Sequence, residues 1–185
     1  MLHAAQTMKD RQRAMLWALL AVRRTTRRAL RSAVRPDFRE LKRLMAYVER
    51  FPEKLHQPNE EKYLFRAAEA RQPALARTVA RLRRDHSAIT GYGNRLRAAL
   101  GYWEQGDPKA GQQSAMIADD YARFCHRHAR AERRDLLPVA LGVLSESEWS
   151  QIDRAFQSAA DPLADARSSH GREVALLALE APKSA

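Results

Sequence analysis

One run of inward-facing positions constrains the fold of this chain more than any other feature. Between residues 75 and 103, eight apolar or small residues and one histidine recur in alternating steps of four and three. They are Leu75, Val79, Leu82, His86, Ile89, Gly93, Leu96, Leu100 and Trp103. Such steps place all the side chains on one face of an α-helix, so the pattern predicts a long helix packed in an antiparallel bundle.

The composition favours helix along the rest of the chain as well. The 185 residues are 45% hydrophobic and 30% charged, and they include only 7 Gly and 8 Pro. Ala, Leu, Arg and Glu dominate, and these residues lose little side-chain freedom in a helix. We therefore expect an all-α protein with a sizeable core.

Two helices are predicted before this run. The first covers residues 4 to 34, and Pro36 is expected in the first turn of the second helix. Pro52 and Pro58 should kink or restart that second helix, whose pattern resumes at Glu60. The inward positions of the first helix are Met8, Gln12, Met15, Leu19, Val22, Thr26, Leu30 and Ala33.

Two more helices are predicted after it. A Gly- and Pro-containing turn at 104 to 111 precedes the fourth helix, which meets Pro138. Ser145 and Glu148 have the spacing of a capping box that opens a short fifth helix, 146 to 158. The inward positions of the fourth helix are Ile117, Tyr121, Cys125, His128 and Glu132. Residues 4–158 are thus predicted to form the bundle, and 159–185 a loosely held tail.

Several inward positions carry metal-binding side chains where apolar ones are expected. His56 and Glu60 lie four residues apart, as do His128 and Glu132, and His86 lies in the middle of the third helix. A spacing of four puts both side chains on one helix face, within reach of one ion. A single buried histidine is usually a hydrogen-bonded core residue. Here three inward histidines lie on three different helices, and two of them have a glutamate one turn later. This arrangement is typical of carboxylate-bridged metal sites in bundles.

The remaining histidines and the single cysteine are interpreted differently. His126 should face the surface, and His3 and His170 lie near the termini. Cys125 is either a small core residue or a neighbour of the metals, and Gly93 either leaves space at the site or allows close helix packing. One cysteine excludes an internal disulfide, so the cytoplasm is the expected location.

Short motifs in the chain resemble those of the hemerythrin-like (HHE cation-binding) domains. The stretches are "FPEKLHQPNEEKYLF", "LRRDH" and "HARAERRDLLP", and "LSESEWSQIDRAF" resembles the closing segment of bacterial members. The resemblance runs from about Met8 to Phe156. It implies an up-down-up-down four-helix bundle around a pair of non-haem iron ions, held by histidines and bridged by two carboxylates, here with a short extra C-terminal helix.

The resemblance also assigns ligands and shows two departures. His56, Glu60, His86, His128 and Glu132 match the metal-binding positions of the second, third and fourth helices. The first helix has Gln12 where the family has a histidine, and Gln57 replaces a second histidine of the second helix. A glutamine amide is a poor iron ligand, so the site should be lopsided, hold a single metal, or leave a position to water.

The resemblance implies a protein that binds or senses O2, NO or peroxide, or that handles iron, at an open metal position. No phosphate-binding loop, nucleophile elbow or zinc-binding cysteine pair is visible, so turnover of a substrate is not predicted. The longest early apolar run, residues 14 to 22, is too short to span a membrane and lacks a cleavage site of small residues.

Two alternatives remain open at the level of the sequence. The polar residues could survive as a metal-free hydrogen-bonded network, which is stable only if every member is satisfied. The formal net charge of +11 also suits a basic helical adaptor for nucleic acid or anionic lipid, with arginines on the first helix and at 81–84 and 133–135. Aromatic residues make up only 7% of the chain and fall mainly on inward positions, so a stacking platform for bases is not evident.

Overall fold

The computed structural model of the chain describes residues 2–157, 161–166 and 168–178. Within these ranges there is no β-strand, and seven helices account for nearly all residues. They are α1 (Leu2–Ser32), α2 (residues 38–71), α3 (Ala76–Glu104), α4 (residues 110–143), α5 (Glu146–Gln157), α6 (Pro162–Asp165) and α7 (Ser169–Ala178). A single 3-10 turn, Pro73–Leu75, joins α2 to α3. The all-α prediction is confirmed.

Helices α2 and α4 are continuous but contain wide, π-helical turns. In α2 these are Glu49–His56 and Glu60–Phe65, and in α4 the wide turn is Glu132–Leu136. The predicted restart of α2 is wrong, because the helix continues through both prolines. The Gln57 N–H reaches back five residues to the Pro52 carbonyl, and this change of hydrogen-bond register absorbs the prolines without ending the helix.

The connection between α1 and α2 differs from the prediction at both ends. Helix α1 ends at Ser32, and Ala33 has a positive φ of 52°, so Leu30 and Ala33 are exposed and not inward. Pro36 precedes α2 and is not in its first turn. The cap is Asp37, whose side chain accepts hydrogen bonds from the N–H groups of Arg39 at 2.8 Å and Glu40 at 3.1 Å.

The four long helices enclose two apolar clusters. Helix α1 packs against α2 and α4, and α3 packs against the same two helices. One cluster is built from the second half of α1, the start of α2 and the facing parts of α3 and α4, and it includes Leu19, Leu44 and Tyr121. The other includes Met8 and Leu82 and extends to α5. In every long helix, the inward polar residues lie between these two clusters. These residues are Gln12, His56, Glu60, His86, His128 and Glu132.

The C-terminal helices lie on the bundle. The predicted capping box of α5 is confirmed: the Ser145 N–H donates to Glu148 Oε2 at 2.8 Å, and the Glu148 N–H donates to Ser145 Oγ at 3.3 Å. Within the predicted tail, Leu163 of α6 and Leu176 of α7 are buried in the first apolar cluster. Residues 158–160, where the predicted domain boundary falls, lie outside the described residues.

None of the described helices combines the length and the apolar character that crossing a membrane requires.

The Asp37 cap gives a test of the helix boundary. We expect Asp37→Ala to lower the free energy of unfolding by about 1 kcal/mol, because two N–H groups of α2 lose their acceptor. Asp37→Asn is the matched control, since its side-chain oxygen can still cap, and it should cost only a small part of that. Urea unfolding followed by circular dichroism measures both. Equal destabilisation by the two variants would show that charge, and not capping, is what Asp37 contributes.

Candidate metal centre

A layer of buried polar side chains separates the two apolar clusters. Each of the four long helices contributes to it, and each member is at most 5% exposed. The layer contains Gln12 from α1, His56 and Glu60 from α2, His86 from α3, and His128 and Glu132 from α4. The structure therefore brings together all six side chains that the sequence placed inward as metal-binding positions or their replacement.

The wide turns of α2 and α4 coincide with this layer. His56 is the last residue of the first wide turn, Glu60 is the first residue of the second, and Glu132 is the first residue of the third. Wide turns of this kind are rare and are frequently found at functional sites. The backbone of α2 is adjusted on both sides of the His56 and Glu60 pair.

The Glu60 carboxylate lies at the centre of the layer. Its Oε1 is 2.7 Å from His56 Nε2, and its Oε2 is 3.2 Å from His86 Nε2. Glu60, His86 and His128 each offer one ligand atom, and these three atoms lie within 4.8 Å of one another. Two imidazoles and one carboxylate can thus meet at a single ion.

These central atoms are buried without hydrogen bonds. Across the described part of the chain, neither nitrogen of His56, neither oxygen of Glu60, nor His86 Nε2 has a hydrogen-bond partner, and the same is true of Glu132 Oε1. The short approaches to Glu60 are therefore contacts without hydrogen-bond geometry. Leaving a buried polar group unpaired costs about 1–3 kcal/mol, so a cluster of such groups needs an explanation. Converging lone pairs of this kind fit a bound cation.

Two carboxylates hold the outer nitrogens of the histidine rings. Glu61 Oε1 is 2.7 Å from His86 Nδ1, and Asp85 Oδ2 is 3.4 Å from His128 Nδ1. Such contacts fix the ring orientation of a metal-binding histidine and leave Nε2 to face the ion. Sequence reasoning missed both residues. Their only signal was adjacency, since Glu61 follows Glu60 and Asp85 precedes His86.

Gln12 lies beside Glu132, and both ends of its amide have a partner. Its Nε2 donates to Glu132 Oε2, and its Oε1 accepts from Arg133 at 3.0 Å. The glutamine thus ties one oxygen of Glu132 and presents no unused oxygen to the layer.

The charges in the layer are strongly coupled. Burial would raise the pKa of Glu60, but His56 and then His86 outweigh it and hold that pKa well below its usual range. Burial, and then the neighbouring Glu60, raise the pKa of Glu132 well above its usual range. Burial opposes the charged form of His86, yet Glu60 and Glu61 raise its pKa to about 9. The layer is therefore organised to hold positive charge next to Glu60.

Aromatic rings close the layer against water. Phe65 stacks on His86 with ring centroids 5.4 Å apart, and Phe156 meets His56 edge-on at 5.4 Å. The rings of His86 and His128 are themselves 4.8 Å apart. A dry, apolar surrounding of this kind strengthens electrostatic interactions inside the site.

The other histidines and the cysteine lie away from the layer. His126 is exposed, as predicted, and His3 is exposed with its Nδ1 2.9 Å from Asp153 Oδ1. The side chain of His170 lies outside the described residues. Cys125 is buried in the first apolar cluster, where burial raises the pKa of its thiol. The core interpretation of Cys125 is the one that the packing favours.

Gly93 provides space for a carboxylate and not for a ligand of the metal layer. A Cβ at this position would collide with Oε1 of Glu53, which accepts a hydrogen bond from the Tyr121 hydroxyl at 2.9 Å. Arg97 lies 3.5 Å from the other oxygen of Glu53. Of the two interpretations of Gly93, space at the metal site is not found, and the room on α3 is filled by the Glu53 side chain of α2.

Comparison with known protein families supports the interpretation of the polar layer as a cation-binding site. The family model described as "Hemerythrin HHE cation binding domain" matches residues 3–140, which contain all six side chains of the polar layer. Searches of curated proteins and of solved structures found no match. With most of its length matched, the chain belongs to the hemerythrin HHE cation-binding domain family.

Proposed function

We propose that this protein binds iron in the polar layer, with Glu60, His86 and His128 as the central ligands and His56 as a fourth. The observation that carries the proposal is the set of buried lone pairs without hydrogen bonds that converge on the Glu60 carboxylate. Without a metal, several polar atoms of this network lack hydrogen bonds, which is costly in the low-dielectric interior. A cation removes the difficulty.

The chemistry of the ligands favours iron. Two histidines and one carboxylate form the ligand set of many non-haem Fe(II) proteins, and imidazole with carboxylate suits iron better than it suits Ca²⁺ or Mg²⁺. In the described residues of the layer there is no thiolate, which a structural zinc site would commonly use. When bound, iron would supply an open coordination position for O2, NO or peroxide.

The residues in and around the polar layer have distinct roles in this proposal. Glu60 offsets the charge of the ion, and Glu61 and Asp85 orient the rings of His86 and His128. The two apolar clusters on either side of the layer limit access of water. Binding or sensing of a small molecule, or handling of iron, follows more naturally from this arrangement than turnover of a substrate.

We also infer that the site is asymmetric and favours one iron over two. Glu132 could complete a second position, but Gln12 already donates to one of its oxygens, and Arg133 occupies the Gln12 oxygen. The first helix thus offers a hydrogen-bond donor where a second iron needs a ligand.

We also infer how the four long helices are arranged. Because α1 and α3 each pack against both α2 and α4, we interpret the four long helices as an up-down-up-down bundle, with α5 as the short extra helix. An iron held between four helices of this arrangement draws ligands from at least three of them.

The ligand set is tested by exchanging one histidine. We expect His86→Ala to lose most of the bound iron after anaerobic loading with Fe(II) and desalting, because the ion loses one of its imidazole ligands. The matched control is His126→Ala, since His126 is exposed on α4 and should leave the iron content unchanged. Metal analysis gives the result. Equal iron in His86→Ala and in the parent protein would rule out the proposed ligand set.

The role of Gln12 is tested by restoring a histidine. We expect Gln12→His to raise the iron stoichiometry above that of the parent protein. An imidazole nitrogen, which can bind iron, would replace the amide that now donates a hydrogen bond to Glu132. Gln6→His is the control, since Gln6 is exposed on the same helix. An unchanged stoichiometry in Gln12→His would mean that the glutamine is not what limits the second position.

The outer carboxylates give a third test. We expect Glu61→Gln and Asp85→Asn each to weaken metal affinity by about 10–100-fold while leaving the fold intact, because the histidine rings lose their orienting partner. Competition with a chromophoric chelator measures the affinity. Asp120→Asn serves as the control, since Asp120 is an exposed carboxylate of α4 that pairs with Arg123. Affinities within twofold of the parent would assign Glu61 and Asp85 to surface ion pairing alone.

A further inference from the structure

The C-terminal helices lie beyond the region that matches the family, which ends at residue 140. Helix α5 packs on α1 and α2, and its last turn is tied to α2 because the Asn59 side-chain amide donates to the Ala155 carbonyl at 2.9 Å. The neighbouring helix α6 is anchored by Asp161, which accepts a hydrogen bond from the Tyr47 hydroxyl at 3.1 Å. This segment therefore has a fixed place next to the His56 side of the polar layer.

Phe156 is the residue of α5 that reaches the metal centre. Its side chain is fully buried, and the edge-on contact with the His56 ring puts it at the rim of the ligand set. The Arg11 guanidinium also lies 5.4 Å from the ring centroid, and it donates to the Phe156 carbonyl. Phe156 thus contacts a proposed ligand histidine and also borders the space beside α1.

That space is a cavity of about 870 Å³ between α1 and the C-terminal helices. Phe156 and Arg11 form its inner wall, while His3, Gln157 and Asp165 are exposed residues at its rim. Its lining is polar and carries both signs of charge, so water can fill it. His56 is not among the residues that line the cavity, whereas Phe156, which contacts the His56 ring, is.

We propose that this cavity is the access route to the metal centre and that Phe156 is its gate, which passes small uncharged ligands and retards hydrated ions. The inference rests on the proposed iron site. An apolar constriction demands that an ion shed its hydration, which is costly, whereas a molecule such as NO crosses it with little loss of hydration. Phe156 is therefore a specificity-determining residue supplied by the C-terminal extension.

A second opening reaches the layer on another side, and its geometry is less suitable. A groove of about 200 Å³ between α3 and α4 is lined by Phe124, Asp85 and His128. Its lining includes His128 together with Asp85, which holds Nδ1 of that ring. A ligand entering here meets a proposed metal-binding residue directly, and not an adjacent phenyl group.

The two routes are distinguished by exchange rates in the full-length chain loaded anaerobically with Fe(II). Stopped-flow mixing would measure association of azide, as the anionic probe, and of NO, as the neutral one. Removal of iron by an excess of a chelator provides a readout independent of ligand binding. The variants are Phe156→Ala and the more conservative Phe156→Leu, with Phe124→Ala as the control for the groove beside His128.

We expect both Phe156 variants to accelerate azide association and iron removal by about tenfold or more, with a smaller change for NO, while Phe124→Ala leaves all rates near those of the parent. Parent-like rates in Phe156→Leu and Phe156→Ala, or acceleration by Phe124→Ala alone, would overturn the gate. Failure of the parent protein itself to retain iron would instead overturn the proposed function, and the gate with it.

Discussion

The burial of the Glu60 carboxylate is the constraint on which the rest of the structure depends. It is fully buried, it has two histidines in contact, and it has no hydrogen bonds within the described chain. A carboxylate in this position is tolerated only beside positive charge. In the protein without metal, a protonated His86 supplies that charge, consistent with its pKa of about 9. In the proposed functional state, iron takes this role.

The other features of the layer follow from that burial. The wide turns of α2 begin or end at His56 and Glu60, so the backbone is adjusted where the charge is buried. Glu61 and Asp85 face the outer edges of two rings and so lie where solvent can still reach them. The apolar clusters above and below separate the layer from the other buried polar groups of the described interior.

Helical periodicity was sufficient to predict which residues enter the layer. Steps of three and four locate one face of a helix, and Gln12, His86 and His128 lie on that face whatever the detailed geometry. Spacing does not report hydrogen-bond register, so the continuity of α2 through Pro52 and Pro58 could not be predicted from it. It also classes Glu61 and Asp85 as outward residues, because contact with the outer edge of an inward ring does not require an inward position.

The ends of elements were predicted less well for a similar reason. Leu30 and Ala33 continue the spacing of α1, but the helix has already ended before Ala33. Pro36 has a strong preference for a first helical turn, and the competing cap at Asp37 satisfies two N–H groups and therefore sets the boundary. Gly93 could be interpreted only with the structure, because the carboxylate that fills its space comes from another helix.

The most direct test of the account is a crystal structure of the protein loaded with Fe(II), with anomalous diffraction recorded on both sides of the iron absorption edge. We predict an iron peak between Glu60, His86 and His128, with Gln12 still bonded to Glu132. Absence of an iron peak in the polar layer, with iron elsewhere or nowhere in the protein, would contradict the claim that the buried Glu60 exists to hold a metal.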